Sequence, residues 1–177
     1  MDILRGRAGG VAPFLVLLFK GFVCVPLPCD FYQGNYWGYL NVDGQPQGYG
    51  TLVMSNGDTY TGDWKEGERH GKGTHVWKES GDTYHGDWME GQPHGSGTLV
   101  MSNGDKYTGD WKAGQPHGSG MQAMPNGDTY TGNWKEGMLL HHHGVATIGG
   151  VTQGAYVPAR KRLPSLLILQ GITFPPF

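Results

Sequence analysis

The stretch Tyr60-Thr-Gly-Asp-Trp-Lys-Glu-Gly-Glu-Arg-His-Gly-Lys-Gly73 returns further along the chain. Its opening Tyr recurs as Tyr84, Tyr107 and Tyr130, so successive copies begin 24, 23 and 23 residues apart. In every copy a Gly follows two residues after the Tyr, a Trp four after it and a second Gly seven after it. A short, fixed period of this kind is typical of a repeat array, in which each copy packs mainly against its neighbours.

A hairpin is predicted within each period. Asn56-Gly57 lies between two strand-like runs, and the pair recurs as Asn103-Gly104 and Asn126-Gly127. Asn-Gly is the commonest pair in a two-residue type I′ turn, because both residues tolerate positive φ. That turn would place Ser55 opposite Asp58, Val53 opposite Tyr60 and Thr51 opposite Gly62. Each period is therefore predicted to form two short antiparallel strands.

The second strand of each hairpin carries the aromatic residues. Side chains alternate between the two faces of a strand, so Tyr60, Gly62 and Trp64 are expected on one face. Gly62 would leave room for an aromatic ring to lie against the backbone. Gly67 and Gly71 are expected to turn the chain at the other end of the hairpin.

Two stretches of the array are nearly identical. Gly44–Trp64 and Gly91–Trp111 agree at 18 of 21 positions, and they differ at Gln47/His94, Tyr49/Ser96 and Thr59/Lys106. The offset of 47 residues equals two periods, which indicates a duplicated unit of two repeats. Near-identical units favour a function spread along the array over one localised catalytic constellation.

Composition and charge divide the chain in the same way. All six Trp and all nine Tyr lie between Tyr32 and Tyr156, and all six Phe lie outside that span. Aromatic stacking and backbone pairing are thus expected to hold the array together. Residues 1–31 carry a net charge of +1, residues 32–157 carry −6 and residues 158–177 carry +3. An array with a net negative charge is expected to bind nucleic acid poorly, because contacts between basic side chains and phosphates supply most of the affinity for nucleic acid.

Three segments are predicted. Residues 1–31 form an apolar flank, in which Arg5 and Arg7 precede the run Val11–Phe19. This flank fits a secretory signal, a weak membrane anchor, or a buried or disordered segment. Within it, Cys24 and Cys29 allow either one disulfide or two free thiols. Residues 32–157 form the array of about five repeats, with degenerate copies at both ends, where a repeat must face water.

The third segment, residues 158–177, is basic and then apolar. Arg160, Lys161 and Arg162 precede the apolar run Leu163–Phe177. This tail would cap the open sheet edge, stay disordered or touch a membrane. The basic triplet is the candidate lipid contact.

The pattern Tyr60-x-Gly62-x-Trp64-x-x-Gly67-x-x-His70-Gly71-x-Gly73, followed by Gly81-Asp82-x-Tyr84, closely resembles the MORN (membrane occupation and recognition nexus) repeat. The resemblance spans residues 32–156. It implies an all-β fold, an elongated, single-layer, twisted antiparallel sheet of successive β-hairpins. Members of the family are joined to lipid kinases, SET-domain methyltransferases or junctional membrane proteins, or serve as stand-alone scaffolds. The 177 residues leave no room for the first two domains, so we expect neither activity.

Each residue that is a candidate for binding or metal coordination also has a possible structural role. The aromatic rows are expected to stack along the sheet and, where exposed, to bind a partner: Tyr60, Trp64, Tyr84, Trp88, Tyr107, Trp111, Tyr130 and Trp134. His70, His94 and His117 would form a column about 10 Å apart, too wide for one metal ion. The His141–His143 tract fits either loose binding of a transition metal or a loop expansion, and the loop expansion is favoured. Side-chain capping of the turns explains Asp58, Asp82, Asp105 and Asp128.

We expect no catalytic site, cofactor or metal, because no motif for one is present. The favoured function is a non-enzymatic scaffold that binds a partner protein or a second copy of itself. The alternative is a peripheral membrane adaptor that binds phospholipid through its termini, and an enzyme is the weakest hypothesis. A cytoplasmic location, with or without membrane association, fits both leading hypotheses, and a secretory signal stays open.

Overall fold

The computed structural model describes residues 22–29, 32–140 and 145–154, and they form β-strands joined by turns. The strands are β1 (Phe22–Cys29), β2 (Tyr32–Leu40), β3 (Pro46–Met54), β4 (Thr59–Lys65), β5 (Glu68–Val76), β6 (Thr83–Met89), β7 (Gln92–Val100), β8 (Lys106–Lys112), β9 (Gln115–Ala123), β10 (Thr129–Lys135), β11 (Met138–Leu139), β12 (Val145–Ile148) and β13 (Val151–Gly154).

These strands build one open antiparallel sheet. From β1 to β10 every strand pairs with its neighbour in sequence, and β12 and β13 follow β10. The short β11 pairs with the end of β10. The predicted all-β sheet of successive hairpins is confirmed, and the sheet is not closed into a barrel. Its last hairpin, β12–β13, lies at the C-terminal end of the array, where a degenerate copy was predicted.

The sheet also extends into the N-terminal flank. Strand β1 pairs with β2 along its whole length, from Phe22 opposite Tyr39 to Cys29 opposite Tyr32. Cys24 and Cys29 both lie on this strand. Of the predicted flank, residues 1–31, residues 1–21, 30 and 31 lie outside the described residues.

The predicted type I′ turn at Asn-Gly is wrong. Leu52, not Val53, lies opposite Tyr60, and Val53 lies opposite Thr59. The loop has three residues, because the Met54 N–H bonds the Asp58 carbonyl at 2.8 Å. Gly57 alone has positive φ, at 87°. This is a type I turn followed by a Gly bulge, and it shifts the register by one residue.

The two-residue type I′ turn lies at the opposite end of the hairpin. Lys65 pairs with Glu68, and the two residues between them have positive φ, 52° at Glu66 and 85° at Gly67. The same turn recurs as Glu90-Gly91, Ala113-Gly114 and Glu136-Gly137. A non-Gly residue at the first position is strained, since its Cβ crowds the backbone there.

Turns at both ends of the hairpins form hydrogen bonds to the neighbouring repeat along the sheet. The Gly91 N–H donates to the Arg69 carbonyl at 3.1 Å, and the other Gly turns repeat this contact. At the Asn-Gly end, Asp58 Oδ1 accepts the Lys78 N–H at 2.8 Å. These aspartates were predicted to cap their own turns, and the structure shows that Asp58, Asp82 and Asp128 also join successive turns. For Asp105, the residue equivalent to Lys78 is Pro125. Proline has no backbone N–H, so Asp105 cannot accept the same hydrogen bond.

A line of glycines crosses nine adjacent strands, β2 to β10. Each glycine lies opposite the next, in the order Gly38, Gly50, Gly62, Gly73, Gly86, Gly97, Gly109, Gly120 and Gly132. A Cβ added to Gly73 would lie 2.3 Å from the hydroxyl of Tyr60. The tyrosine therefore lies flat across a pair of glycines, as predicted for Gly62. The glycines on this line let each ring approach the backbone.

Candidate functional site

Seven of the eight predicted aromatic residues form one continuous ladder on one face of the sheet, here called the aromatic face, and Tyr130 belongs to the same buried cluster. The Tyr60 ring lies 5.0 Å from its own Trp64 and 5.1 Å from Trp88 of the next repeat. The same edge-to-face contacts continue through Tyr84, Trp111, Tyr107 and Trp134. Edge-to-face packing suits the positive edge and negative face of aromatic rings.

Hydrogen bonds to backbone carbonyls hold the rings of the ladder in place. The Trp64 indole N–H donates to the Gly50 carbonyl at 3.2 Å, and the Tyr60 hydroxyl donates to the Asp63 carbonyl at 2.9 Å. Burial raises the pKa of Tyr36 to about 12, although a backbone hydrogen bond at Gln47 opposes the shift. Burial likewise raises the pKa of Tyr84 and Tyr107. These phenols stay neutral at any physiological pH.

None of the eight predicted aromatic residues is exposed. Seven are at most 2% exposed and Tyr130 is 9% exposed. The exposed aromatic strip that would attract a partner is therefore not formed by these rings. Their placement explains how a single sheet obtains a core: rings pack on rings, above glycine backbone and beside Leu52, Leu99 and Met101.

The opposite face, here called the open face, has no second layer over it among the described residues, which all belong to the one sheet and its turns. Its first row of side chains crosses the strands in the order Thr51, Thr61, Thr74, His85, Thr98, Thr108, Met121 and Thr131. Neighbouring hydroxyls in this row bond each other, as Thr51 and Thr61 do at 3.0 Å. Large apolar side chains stay exposed here too: Tyr49, Met89, Val100, Met121 and Val145.

A second row on the open face contains the charges. It runs through Tyr49, Asp63, Lys72, Asp87, Ser96, Asp110, Ser119 and Asn133. Each aspartate closes a bulge in the next strand: Asp63 Oδ2 accepts the Lys72 N–H at 2.9 Å, and Asp87 and Asp110 repeat the bond. His70, His94 and His117 lie opposite these aspartates on alternate strands.

A trough runs between the two rows, across the strands. At β5 to β8 it forms a depression of about 420 Å³. Backbone of Gly86, Gly97 and Gly109 is its floor. One wall is His85, Thr98 and Thr108, and the other is Lys72, Ser96 and Asp110. Sequence reasoning missed this trough, although strand alternation alone places Asp63 on the face opposite to Trp64.

Lys72 and Asp87 form an ion pair in the trough. Burial works to raise the pKa of Asp87, but hydrogen bonds from Lys72 and from the Ser96 N–H outweigh it, and the pKa is lowered. Asp87 therefore stays ionised at neutral pH and holds the lysine.

A buried polar cluster replaces apolar residues on the aromatic face of β5. Arg69 is 4% exposed and lies 4.6 Å from the Trp88 ring centre. Its Nη1 lies 3.0 Å from Nδ1 of the buried His75. Burial, and then the positive charge of Arg69, lower the pKa of His75 to about 3. The imidazole is thus neutral, its Nδ1 accepts from Arg69, and its 3.8 Å approach to Asp58 is not a salt bridge.

Neither a metal-binding cluster nor a membrane-spanning helix is found among the described residues. Within the described ranges no three His, Cys, Asp or Glu side chains are placed to hold a metal ion. The same residues include no helix that is long and apolar enough to span a bilayer. Arg160, Lys161 and Arg162, the predicted lipid contacts, and the His141–His143 tract lie outside the described residues.

Comparison with known proteins supports the repeat assignment. The family profile of the MORN repeat matches five consecutive segments: residues 42–59, 60–81, 84–106, 107–129 and 130–139. No curated protein sequence matches this chain significantly.

Solved structures give a weak likeness. One is the TCP10 domain of CPAP from Danio rerio in complex with a peptide of STIL, with 14% identity and a TM-score of 0.47 over 78% of this chain. This chain spans 61% of that domain's chain. Another is the TCP domain of Drosophila melanogaster SAS-4 in complex with a proline-rich motif of Ana2, with 11% identity and a TM-score of 0.47 over 92% of this chain and 96% of that one.

Proposed function

The chain belongs to the MORN repeat family, and we propose that it is a non-enzymatic scaffold that docks a protein partner on its open face. The aromatic face is filled by its own ladder, because the rings on it are buried against each other. The open face is the surface that the sheet leaves for another molecule.

One observation carries this proposal. The three positions at which Gly44–Trp64 and Gly91–Trp111 differ all lie on the open face. Tyr49 is 60% exposed there, and Val100 and Met121 are 44% and 40% exposed. Exposed apolar side chains within a polar surround are typical of protein-interaction sites.

Self-association uses the same surface, because a second copy would meet the same exposed side chains. The membrane alternative rests on the apolar termini and on Arg160, Lys161 and Arg162, and this basic triplet lies outside the described residues. Vesicle binding tests it separately from protein docking.

Photo-crosslinking tests the proposal. A photoreactive amino acid is introduced at Thr108 or Met121 on the open face, and at the exposed turn residues Asn56 and Asn126 as controls. We expect the open-face positions to yield discrete crosslinked proteins or a crosslinked dimer, and the turn positions to yield neither. Equal yields from both sets, or products from the turns alone, would contradict the proposal.

Vesicle sedimentation separates the lipid alternative. The full chain is mixed with vesicles of neutral lipid, with or without anionic lipid. One outcome is that the chain sediments only with anionic lipid while its open-face positions yield no protein crosslinks. That result would favour membrane binding over protein docking as the function.

A further inference from the structure

The trough on the open face already binds one cation, the side chain of Lys72. The ammonium group of Lys72, on β5, is seated on Asp87, which lies directly opposite it on β6. The bulge places Asp87 for this contact, because its other carboxylate oxygen is held by the Ser96 N–H at 2.9 Å. Within this repeat the chain supplies its own lysine.

The equivalent aspartates in the flanking repeats have no such lysine. The residue opposite Asp63 is Tyr49, and the residue opposite Asp110 is Ser96. Both carboxylates accept the same bulge N–H as Asp87 does, at 2.9 Å. Asp110 is exposed, and Asp63 is partly exposed beside the larger Tyr49 and Lys72. The two sites thus keep the carboxylate and its support but lack the cation.

The distance between the two sites matches an extended peptide. Asp63 lies on β4 and Asp110 on β8, four strand spacings apart, or about 19 Å. An extended chain advances about 3.3 Å per residue, so six residues span about 20 Å. Residues i and i+6 also point to the same side of an extended chain. The trough runs in this direction; its depression at β5 to β8 is lined by Asp110, and Asp63 lies one strand beyond it on β4.

We propose that the trough binds an extended cationic peptide of a partner protein, with basic residues six positions apart seated on Asp63 and Asp110. The hydroxyls of Thr98 and Thr108 line the path between the two sites and can bond the peptide backbone. The inference rests on the proposed docking role of the open face and names the chemistry of its ligand.

Synthetic peptides test the spacing. The probe has lysines six residues apart, joined by Gly and Ser, and its controls have lysines four apart or glutamates six apart. Binding to the full chain is measured by fluorescence anisotropy at low ionic strength, since salt screens exposed ion pairs. We expect the six-residue spacing to bind about two- to fivefold more tightly than the four-residue spacing, and the glutamate peptide to bind least.

Three variants test the sites. Ser96→Lys places a lysine opposite Asp110, as Lys72 is placed opposite Asp87, and should weaken binding about two- to fivefold without removing any carboxylate. Asp110→Asn should weaken it equally, and Asn133 shows that Asn is accommodated at this register position. Asp43→Asn, in an exposed loop away from the trough, is the matched control and should leave binding unchanged.

Lys72→Ser tests the reverse change. It removes a positive charge from the trough and leaves Asp87 without its lysine, so the probe with lysines six residues apart should bind more tightly than it does to the wild type. Unchanged binding in Ser96→Lys and Asp110→Asn, or equal binding of both lysine spacings, would overturn the inference. Open-face photo-crosslinks to a partner without such a basic segment would overturn it as well and leave the docking role intact.

Other occupants have distinct signatures. A peptide of residues 158–177 that binds more tightly than the six-residue probe would assign the trough to the chain's own basic segment. If the full chain dimerises and Ser96→Lys abolishes the dimer, the occupant of the trough would be a second copy of the chain. Either result would overturn a partner peptide as the occupant.

Discussion

Gly44–Trp64 and Gly91–Trp111 are two regions of almost the same sequence, and they differ only on one face of the sheet. On the aromatic face their geometry coincides: both indole N–H groups donate to a glycine carbonyl at 3.2 Å, Trp64 to Gly50 and Trp111 to Gly97. On the open face the second region is more exposed. Asp110 is exposed where Asp63 is half-buried, and Ser96 replaces Tyr49. The copied residues determine the fold, and the changed ones alter only the surface.

The largest effect is expected from the shared glycine line. A Cβ at Gly50 would lie 2.2 Å from the Tyr36 hydroxyl, and one at Gly97 would lie 2.3 Å from that of Tyr84. Gly50→Ala and Gly97→Ala should each reduce the free energy of unfolding by about 3 kcal/mol, because the ring must leave its place. Urea denaturation measures both, and the two regions should respond alike.

Gly127→Ala is the control for the glycine line. Gly127 has a φ of 87° and no atom near its added Cβ, so backbone strain alone should cost about 1 kcal/mol. If Gly97→Ala reduced the free energy of unfolding no more than Gly127→Ala does, the contact between the Tyr84 ring and Gly97 would not explain why glycine is needed there.

The next effect concerns β5, which lies between the two regions. His75 lies opposite Tyr60, where Leu99 lies opposite Tyr84 and Gln122 opposite Tyr107. Because burial lowers the pKa of His75 to about 3, the unfolded chain binds a proton at higher pH than the folded one. Stability from this group is complete above about pH 6.5 and is lost as the pH falls toward 3.

We therefore expect His75 to cost about 1 kcal/mol of unfolding free energy per pH unit below pH 6. His75→Gln copies Gln122 and removes the titrating group. Urea titrations at pH 7 and at pH 5 measure both proteins. The wild type should lose more stability than the variant between these values, and parallel losses would show that His75 is not the group responsible.

A smaller effect is expected in the turns that follow the two regions. Glu66 and Ala113 adopt φ of 52° and 48° at the first position of a type I′ turn, where Asn is preferred. Glu66→Asn and Ala113→Asn should each raise the free energy of unfolding by about 1 kcal/mol, since they relieve left-handed strain. Thermal melts measure the gain. A lower melting temperature in both variants would argue against the strain.

The smallest effect is expected from making the two regions identical. The triple variant Gln47→His, Tyr49→Ser, Thr59→Lys gives the first region the open-face residues of the second. Exposed substitutions usually change stability by less than about 0.5 kcal/mol each, so urea denaturation should show little change. A loss above 3 kcal/mol would mean that the open-face residues support the fold after all.

Sequence periodicity predicted the architecture well. The recurring Tyr, Gly and Trp defined the hairpin unit, and alternation correctly placed Tyr60, Gly62 and Trp64 on one buried face. The register was the error. Asn-Gly permits both a two-residue turn and a three-residue turn with a Gly bulge. The choice depends on Leu52 reaching the buried face beside Tyr60, which local sequence does not reveal.

The candidate site was less predictable. Exposure of the aromatic residues could not be inferred, because it depends on rings from neighbouring repeats closing over each other at about 5 Å. The pairing of Lys72 with Asp87 could not be predicted from the sequence either, since it depends on the bulge that makes the two residues neighbours across strands. The only advance signal was that Asp63 and Trp64, adjacent in sequence, must face opposite sides.

The sequence by itself determined the repeat, the antiparallel hairpins and the glycine positions, because these follow from local periods and from residues that tolerate special backbone geometry. Only the tertiary structure decided that the aromatic rings are the core and that the threonine and aspartate rows are the free surface. The physical reason is that a ring is buried by its neighbours across strands, 14 or more residues away in sequence, as Trp64 is at Gly50.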